Sequence, residues 1–269
     1  MAVRWFLGGG IFAAAIAGHA LESGSPVSAG AWPEVVALVD RGTQGAGIFG
    51  SELSGVFCTG TVIRPRIILT AAHCVTQPAS EQARTDLPSQ VRIYRGEGRL
   101  NYRGPVQGQV RVTHAIVHPA SGAGVDLALL AIDQPLPGVV PLRWQATLPP
   151  ASQDIHSVGF GELHPHEQRN TMGQKSAAVR RLDLRDDKEV CSRRAGIKTP
   201  SSAGDSGGPA LLRTSDGRFQ VLGVLTGFRT KRVGDREVEA DCWIPVSAHQ
   251  AWLEQNIAAL ESKQAASKP

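Results

Sequence analysis

No long run of one charge sign occurs in this sequence, and its 28 lysines and arginines are dispersed among 24 aspartates and glutamates. The net charge of +4 therefore forms no polyanion-binding block, and a nucleic-acid partner is not indicated. Beyond the first twenty residues, no apolar stretch approaches the roughly 20 residues needed to span a membrane. Cysteine is scarce: Cys58, Cys74, Cys191 and Cys242 contain no C-x-x-C pair, which argues against structural zinc. The Gly-rich stretch Gly42 to Gly55 lacks the lysine and following helix of a phosphate-binding loop and reads as a surface loop. No repeat of fixed period is present. Charged residues make up only 19% against 42% hydrophobic, which excludes a disordered chain or coiled coil.

What the chain does have is turns and short strands. Its 30 glycines and 17 prolines punctuate apolar runs of strand length: Val35 to Val39, Val56 to Ile63, Ile67 to Leu69, Val91 to Tyr94, Val110 to Val112, Leu127 to Ile132, Ile155 to Phe160 and Val221 to Thr226. A Pro/Gly-marked connection at Gln134 to Pro141 divides two strand-rich halves, which suggests two β-barrels. One helix is expected near the end: Ser247 with Gln250 reads as a capping box, and Trp252, Leu253, Ile257 and Leu260 recur at helical spacing. At the start, Met1 to Arg4 is basic, Trp5 to Ala17 is apolar or Gly, and Gly18-His19-Ala20 supplies the small residues that signal peptidase reads. This predicts an exported chain beginning at Leu21. Export would permit disulfides, and four cysteines allow three pairings.

The residues that carry chemistry are spread along the chain. Gly204-Asp205-Ser206-Gly207-Gly208-Pro209 places a serine between glycines that let the backbone turn sharply and bring N–H groups toward a substrate oxygen. Gly204-x-Ser206-x-Gly208 also fits the nucleophile elbow of an α/β-hydrolase, so chain order must decide. An elbow needs an acid and then a histidine downstream, where the only histidine is His249 inside the terminal helix. Upstream, Thr70-Ala71-Ala72-His73-Cys74 closes one apolar strand and Val125-Asp126-Leu127-Ala128 opens another, giving the order His, Asp, Ser.

With these motifs, and with Trp32-Pro33, Gly159-Phe160-Gly161 and Val246-Ser247 in their places, the chain from about Leu21 to Leu260 resembles the trypsin/chymotrypsin family of secreted serine endopeptidases. The resemblance implies an all-β fold of two packed antiparallel six-stranded β-barrels, chymotrypsin-like, with a C-terminal α-helix. The expected organisation is a signal peptide at 1–20, a first barrel at 21–135 carrying His73 and Asp126, and an inter-barrel connection at 136–144. A second barrel at 145–245 carries Ser206, followed by the helix at 246–260 and a fraying tail at 261–269. It implies Ser206 as nucleophile, His73 as base, Asp126 as its orienting acid and the N–H groups of Gly204 and Ser206 as oxyanion hole.

The family places a disulfide across the histidine motif, matched by Cys58–Cys74, and the remaining Cys191 and Cys242 then pair with each other. The activating N-terminal residue of the family, eleven before the Trp of Trp-Pro, falls on Leu21, whose α-ammonium is expected to pair with Asp205. The family's pocket floor falls on Pro200 and its wall on Thr226-Gly227-Phe228, while Asp241 takes a position where a pocket-lining Gly commonly sits. An Asp there would seek a cationic substrate side chain, and cleavage after Arg or Lys is the expectation; Phe228 would instead narrow the entrance, and Asp241 facing water beside the Cys191–Cys242 bridge is the alternative.

His164-Pro165-His166-Glu167 reads as a solvated loop, since the proline interrupts any regular presentation of ligands, and Glu81 and Asp86 alone do not match the family's acidic calcium loop. No metal or other cofactor is expected. The expected substrate is a peptide or protein, with no nucleic acid, no membrane after signal cleavage, a monomeric state and a secreted or periplasmic location. The competing readings are a catalytically silent homologue that uses the barrels for binding, and a serine esterase.

Overall fold

The computed structural model describes residues 24–28, 30–40, 55–76, 87–96, 110–150, 152–162, 173–185, 188–195 and 200–266. In chain order the strands are β1 (Ser25–Pro26), β2 (Val35–Asp40), β3 (Val56–Arg64), β4 (Ile67–Thr70), β5 (Val91–Tyr94), β6 (Val110–Val117), β7 (Ala128–Ile132) and β8 (Arg143–Trp144). They continue as β9 (Asp154–Gly159), β10 (Ser176–Arg181), β11 (Leu184–Arg185), β12 (Val190–Arg193), β13 (Pro209–Arg213), β14 (Phe219–Val233) and β15 (Arg236–Pro245). A single helical turn α1 (Leu87–Gln90) precedes β5, and the long helix α2 (Gln250–Ala266) follows β15.

Six strands close into an antiparallel barrel in the order β2-β3-β4-β7-β6-β5. Every residue of β2 and β7 is buried, because one face of these β-branched and aliphatic runs fills the barrel and the other is covered by neighbouring segments. The second half is a nine-stranded sheet ordered β1-β10-β9-β13-β14-β15-β12-β11, with β8 pairing in parallel beside β14. The main apolar core is shared: Val62, Leu69 and Leu129 of the barrel belong to one buried cluster with Val158, Phe160, Leu211 and Val221 of the second sheet. The fold is therefore mostly β, with two packed halves and a C-terminal helix, and it is chymotrypsin-like. Among the described residues, no helix is long and apolar enough to cross a membrane.

The C-terminal segment differs from the sequence expectation in two ways. Ser247 makes no capping bond; the chain enters through a 3-10 turn (Val246–His249), and the Gln250 side chain donates to the carbonyls of Ala146 (2.7 Å) and Ser247 (3.2 Å). The helix also runs through the segment expected to fray, to Ala266. Gln264 is buried and its Nε2 donates to the carbonyls of Arg66 (3.2 Å) and Ile132 (3.3 Å), so the last turn is tied to the first barrel. Apolar periodicity could not reveal this, because the anchor is an amide.

Candidate active site

The turn that carries Ser206 lies between the two halves and is built on glycine. Gly204 (φ +97°) and Gly207 (φ +82°) adopt left-handed backbone, and a Cβ on Gly207 would overlap the Thr70 hydroxyl and the Thr59 carbonyl oxygen. First-barrel strands therefore press directly on the turn. The Thr59 amide donates to the Ser206 carbonyl (2.8 Å), the Thr59 hydroxyl donates to the Gly204 carbonyl (2.7 Å) and accepts the Phe160 amide (3.2 Å), and the Thr70 hydroxyl donates to the Thr59 carbonyl (2.8 Å). From the other side, the Gly207 amide donates to Leu225 of β14 (2.7 Å). The N–H groups of Gly204 and Ser206 donate to no acceptor among the described residues, which leaves both available to an incoming oxygen.

Asp205, between those two amides, turns inward. Its carboxylate accepts the amides of Gly161 (2.8 Å) and Ser202 (3.0 Å), and a Cβ on either Gly159 or Gly161 would collide with it. The two glycines flanking Phe160 are thus the seat of this carboxylate. Desolvation raises the Asp205 pKa above its ordinary value, against the two amides and the Arg180 charge that lower it. The group borders a small, partly open recess lined by Gly24, Gly159, Glu162, Arg180 and Pro200.

The tight turn after β4 (Ala72–Cys74) projects His73, and Asp126 precedes β7, the strand paired with β4. This pairing brings the two side chains together. Asp126 Oδ2 accepts from His73 Nδ1 at 2.6 Å and from the Thr226 hydroxyl at 2.7 Å, while Oδ1 accepts the His73 amide at 2.9 Å. Burial works to raise the Asp126 pKa, but these hydrogen bonds and the neighbouring imidazole outweigh it and hold the carboxyl below its ordinary value. An ionised carboxylate only accepts, so Nδ1 carries a proton, and in the neutral imidazole the lone pair is then on Nε2. Cys74 Sγ lies 3.8 Å from His73 Nε2 and 3.7 Å from the Ser206 carbonyl oxygen, which puts the imidazole beside the serine turn. That sulfur is bonded to Cys58, and the other disulfide joins Cys191 of β12 to Cys242 of β15, which face each other in register. Both clusters of potential metal ligands among the described residues, Cys58/His73/Cys74 and Glu189/Cys191/Cys242, have their cysteines consumed by these bonds.

The region read as a substrate pocket is filled from within. Asp241 is 0% exposed and neither faces water nor lacks a cation. Its Oδ1 accepts Arg194 Nε (2.8 Å) and the Ser201 hydroxyl (2.6 Å), and its Oδ2 accepts the Ser201 amide (3.0 Å) with Arg180 Nη1 at 3.8 Å. The expectation that Asp241 awaits a substrate cation is thereby corrected: an unpaired buried carboxylate is costly, and the chain supplies its own guanidinium. Pro200 lines the recess beside Asp205, and Thr226 serves Asp126. Phe228 is 59% exposed, with the Arg194 guanidinium 4.5 Å from its ring centroid.

Against known families, the sequence pattern described as Trypsin matches residues 22–253. The chain belongs to the trypsin family. Among curated relatives of this trypsin-family protein, phenoloxidase-activating factor 3 of Holotrichia diomphalia is 25% identical over 264 residues, covering 87% of this chain and 71% of the relative. Chymotrypsin-like elastase family member 1 is 26% identical in both Macaca fascicularis and Homo sapiens, covering 84% of this chain and 92% and 95% of those proteins.

In this trypsin-family chain the structure brings His73 and Asp126 together, sets Ser206 beside them, and gathers Gly204, Asp205 and the Cys58–Cys74 disulfide around the same turn. Leu21, Glu81, Asp86, the Gly42 to Gly55 stretch except Gly55, and His164 to Glu167 lie outside the described residues. Sequence reasoning missed Thr59, Thr70, Arg180, Arg194 and Ser201. A signal for one of them existed: Arg194 lies just after Cys191 and Asp241 just before Cys242, so the disulfide brings their neighbourhoods together.

Proposed function

We propose that this chain is an exported serine endopeptidase that hydrolyses peptide bonds through an acyl-enzyme. The observation that carries the reading is the triply anchored Asp126 carboxylate, which holds a proton on His73 Nδ1 beside a serine turn whose Gly204 and Ser206 amides have no acceptor among the described residues. His73 Nε2 takes the Ser206 hydroxyl proton as Oγ attacks the scissile carbonyl carbon, and the resulting oxyanion is held by the Gly204 and Ser206 amides. Collapse breaks the C–N bond, and His73 delivers its proton to the leaving amine. Water then enters, gives a proton to His73 and attacks the acyl carbon; Ser206 leaves with that proton and is regenerated. Asp126 stays ionised throughout and stabilises the imidazolium. Two disulfides support an oxidising destination, in keeping with the signal-peptide anatomy of residues 1–20.

We further propose that signal cleavage exposes Leu21, whose ammonium pairs with Asp205. Gly24 borders the recess beside Asp205, and three extended residues reach about 10 Å. The pair would order the Gly204 and Ser206 amides on either side of Asp205.

The test is hydrolysis of a mixed peptide library read by mass spectrometry. The exported protein cuts internal peptide bonds and Ser206→Ala does not; equal cleavage by both, or none by either, would overturn the proposal. N-terminal sequencing of the active form should begin at Leu21.

A further inference from the structure

Thr226, Gly227 and Phe228 run consecutively along β14, from the Asp126 carboxylate that Thr226 bonds to the guanidinium that rests on Phe228. The Arg194–Asp241 and His73–Asp126 pairs are therefore reached from positions two residues apart on one strand. The Arg194–Asp241 pair is also tied to the serine turn: Ser201, which bonds both oxygens of Asp241, precedes Ser202, whose amide bonds Asp205 next to Ser206. The β14–β15 ladder bulges at Thr226 and resumes with Gly227 opposite Cys242 and Phe228 opposite Asp241.

Arg194 is held at both ends. Its amide donates to the Glu239 carbonyl (2.9 Å), its Nε to Asp241 (2.8 Å) and its Nη2 to the Ser201 carbonyl (2.5 Å). The side chain is nevertheless 16% exposed, and the Phe228 ring on which it rests is open to solvent. A guanidinium that bonds a buried carboxylate and rests on a solvent-open ring has the placement of a plug. Its donors already satisfy the groups that would recognise a basic substrate residue.

We propose that Arg194 is a built-in specificity gate: it occupies the anionic subsite formed by Asp241 and Ser201, so the native enzyme rejects Arg and Lys at the bond it cuts, and loss of the side chain opens a subsite selective for guanidinium or ammonium. The proposal rests on the serine-endopeptidase reading. A substrate cation entering the native site would have to displace a guanidinium already bonded to the same carboxylate, whereas an uncharged side chain needs only the surface over Phe228. Arg180 Nη1, on an almost wholly buried side chain, lies 3.8 Å from Asp241 Oδ2, beyond hydrogen-bond distance, whereas Arg194 Nε holds Oδ1 directly at 2.8 Å.

The experiment has two readouts. Wild type and Arg194→Ala are titrated with propylguanidinium, followed by thermal shift, and are compared on peptides differing only at the residue before the cut. Labelling of Ser206 by an uncharged phosphonate reports in parallel whether the serine is reactive. The expected result is that propylguanidinium raises the Tm of Arg194→Ala and leaves wild type unmoved. The ratio of kcat/KM for Arg over Ala substrates should rise at least tenfold in Arg194→Ala, and fall back in Arg194→Ala/Asp241→Asn. If Arg194→Ala does not fold, Arg194→Gln carries the same comparison, because its amide keeps a donor while the charge is gone. Native preference for Arg or Lys, or an unchanged ratio and no guanidinium binding in the opened variants, would overturn the gate. Failure of the peptidase reading would show differently, as an unlabelled Ser206 in wild type together with intact guanidinium binding by Arg194→Ala.

Discussion

Replacing Thr59 by valine removes one hydroxyl and almost nothing else. The side chain is fully buried, its shape is conserved, and its backbone bonds to Ser206 and Thr70 are untouched. What disappears is the donor to the Gly204 carbonyl at 2.7 Å and the acceptor for the Phe160 amide at 3.2 Å. Each buried polar group left without a partner costs about 1–3 kcal/mol, and partial relaxation of the turn brings the expected loss to about 3 kcal/mol. That is survivable for a domain whose stability is on the order of 5–15 kcal/mol.

The effect on chemistry should be specific. With its carbonyl no longer held, Gly204 gains freedom in φ and ψ, so the amide of the preceding peptide unit points less accurately, and full loss of one oxyanion donor costs about 10²–10³-fold in kcat. Partial misalignment predicts a 10- to 100-fold fall in kcat, on the same principle, with KM changed by less than about threefold. Thr59→Ser keeps the hydroxyl and sheds a methyl, so it should lose about 1 kcal/mol and retain kcat near wild type. Urea unfolding and steady-state peptide hydrolysis measure both quantities. Wild-type kcat in Thr59→Val, or equal damage in the valine and serine variants, would refute this role.

Other consequences concern charge and docking. Asp126→Asn cannot hold the Nδ1–H tautomer and should lower kcat by about 10⁴-fold in steady-state assays; because the native Asp126 pKa is depressed, its contribution to stability is present above about pH 4 and is lost as pH falls through the folded value, which acid titration of wild type against Asp126→Asn would show. Lys175 is 3% exposed, its Nζ donates to the carbonyls of Trp32 (2.7 Å) and Ala31 (3.2 Å), and burial pushes its pKa down to about 7, with Glu34 opposing and Arg95 adding to the fall. The unfolded chain keeps that proton up to about pH 10.5 while the folded chain has released it, so stability should rise between about pH 7 and 10.5, by at most about 5 kcal/mol, and Lys175→Met should flatten that rise in urea midpoints measured across the range. Gln264→Ala should cost about 1–2 kcal/mol by leaving the Arg66 and Ile132 carbonyls without this donor, and should increase hydrogen exchange in the last turn of α2.

The sequence made the candidate groups at 73, 126 and 206 legible because their constraints are local. A serine between glycines at 204, 207 and 208 is one turn, and His73 and Asp126 sit at the ends of apolar strands that pair directly. Strands buried on both faces, such as Val35–Asp40 and Ala128–Ile132, were equally plain. Strands β10 and β15 were not, since Ser176–Arg181 and Arg236–Pro245 mix charged and apolar residues without clean alternation. The pocket was misread for a different reason: Asp241 and Arg194 are 47 residues apart, and the Cys191–Cys242 pairing that brings their neighbourhoods together does not say which side chain the guanidinium bonds. Thr59 escaped notice because a threonine on a β-strand is ordinary, and only the folded pair of halves turns its hydroxyl into a brace for Gly204.

The central claim is that Ser206 is a nucleophile activated by His73 and Asp126 in the folded protein. Its most direct measurement is covalent labelling by an uncharged peptidyl phosphonate, with the modified peptide mapped by mass spectrometry. Wild type should carry one label, on Ser206, formed at a rate that falls steeply in His73→Ala and is abolished by urea unfolding. An unlabelled Ser206 in folded wild type, or a labelling rate unchanged by His73→Ala, would contradict the account.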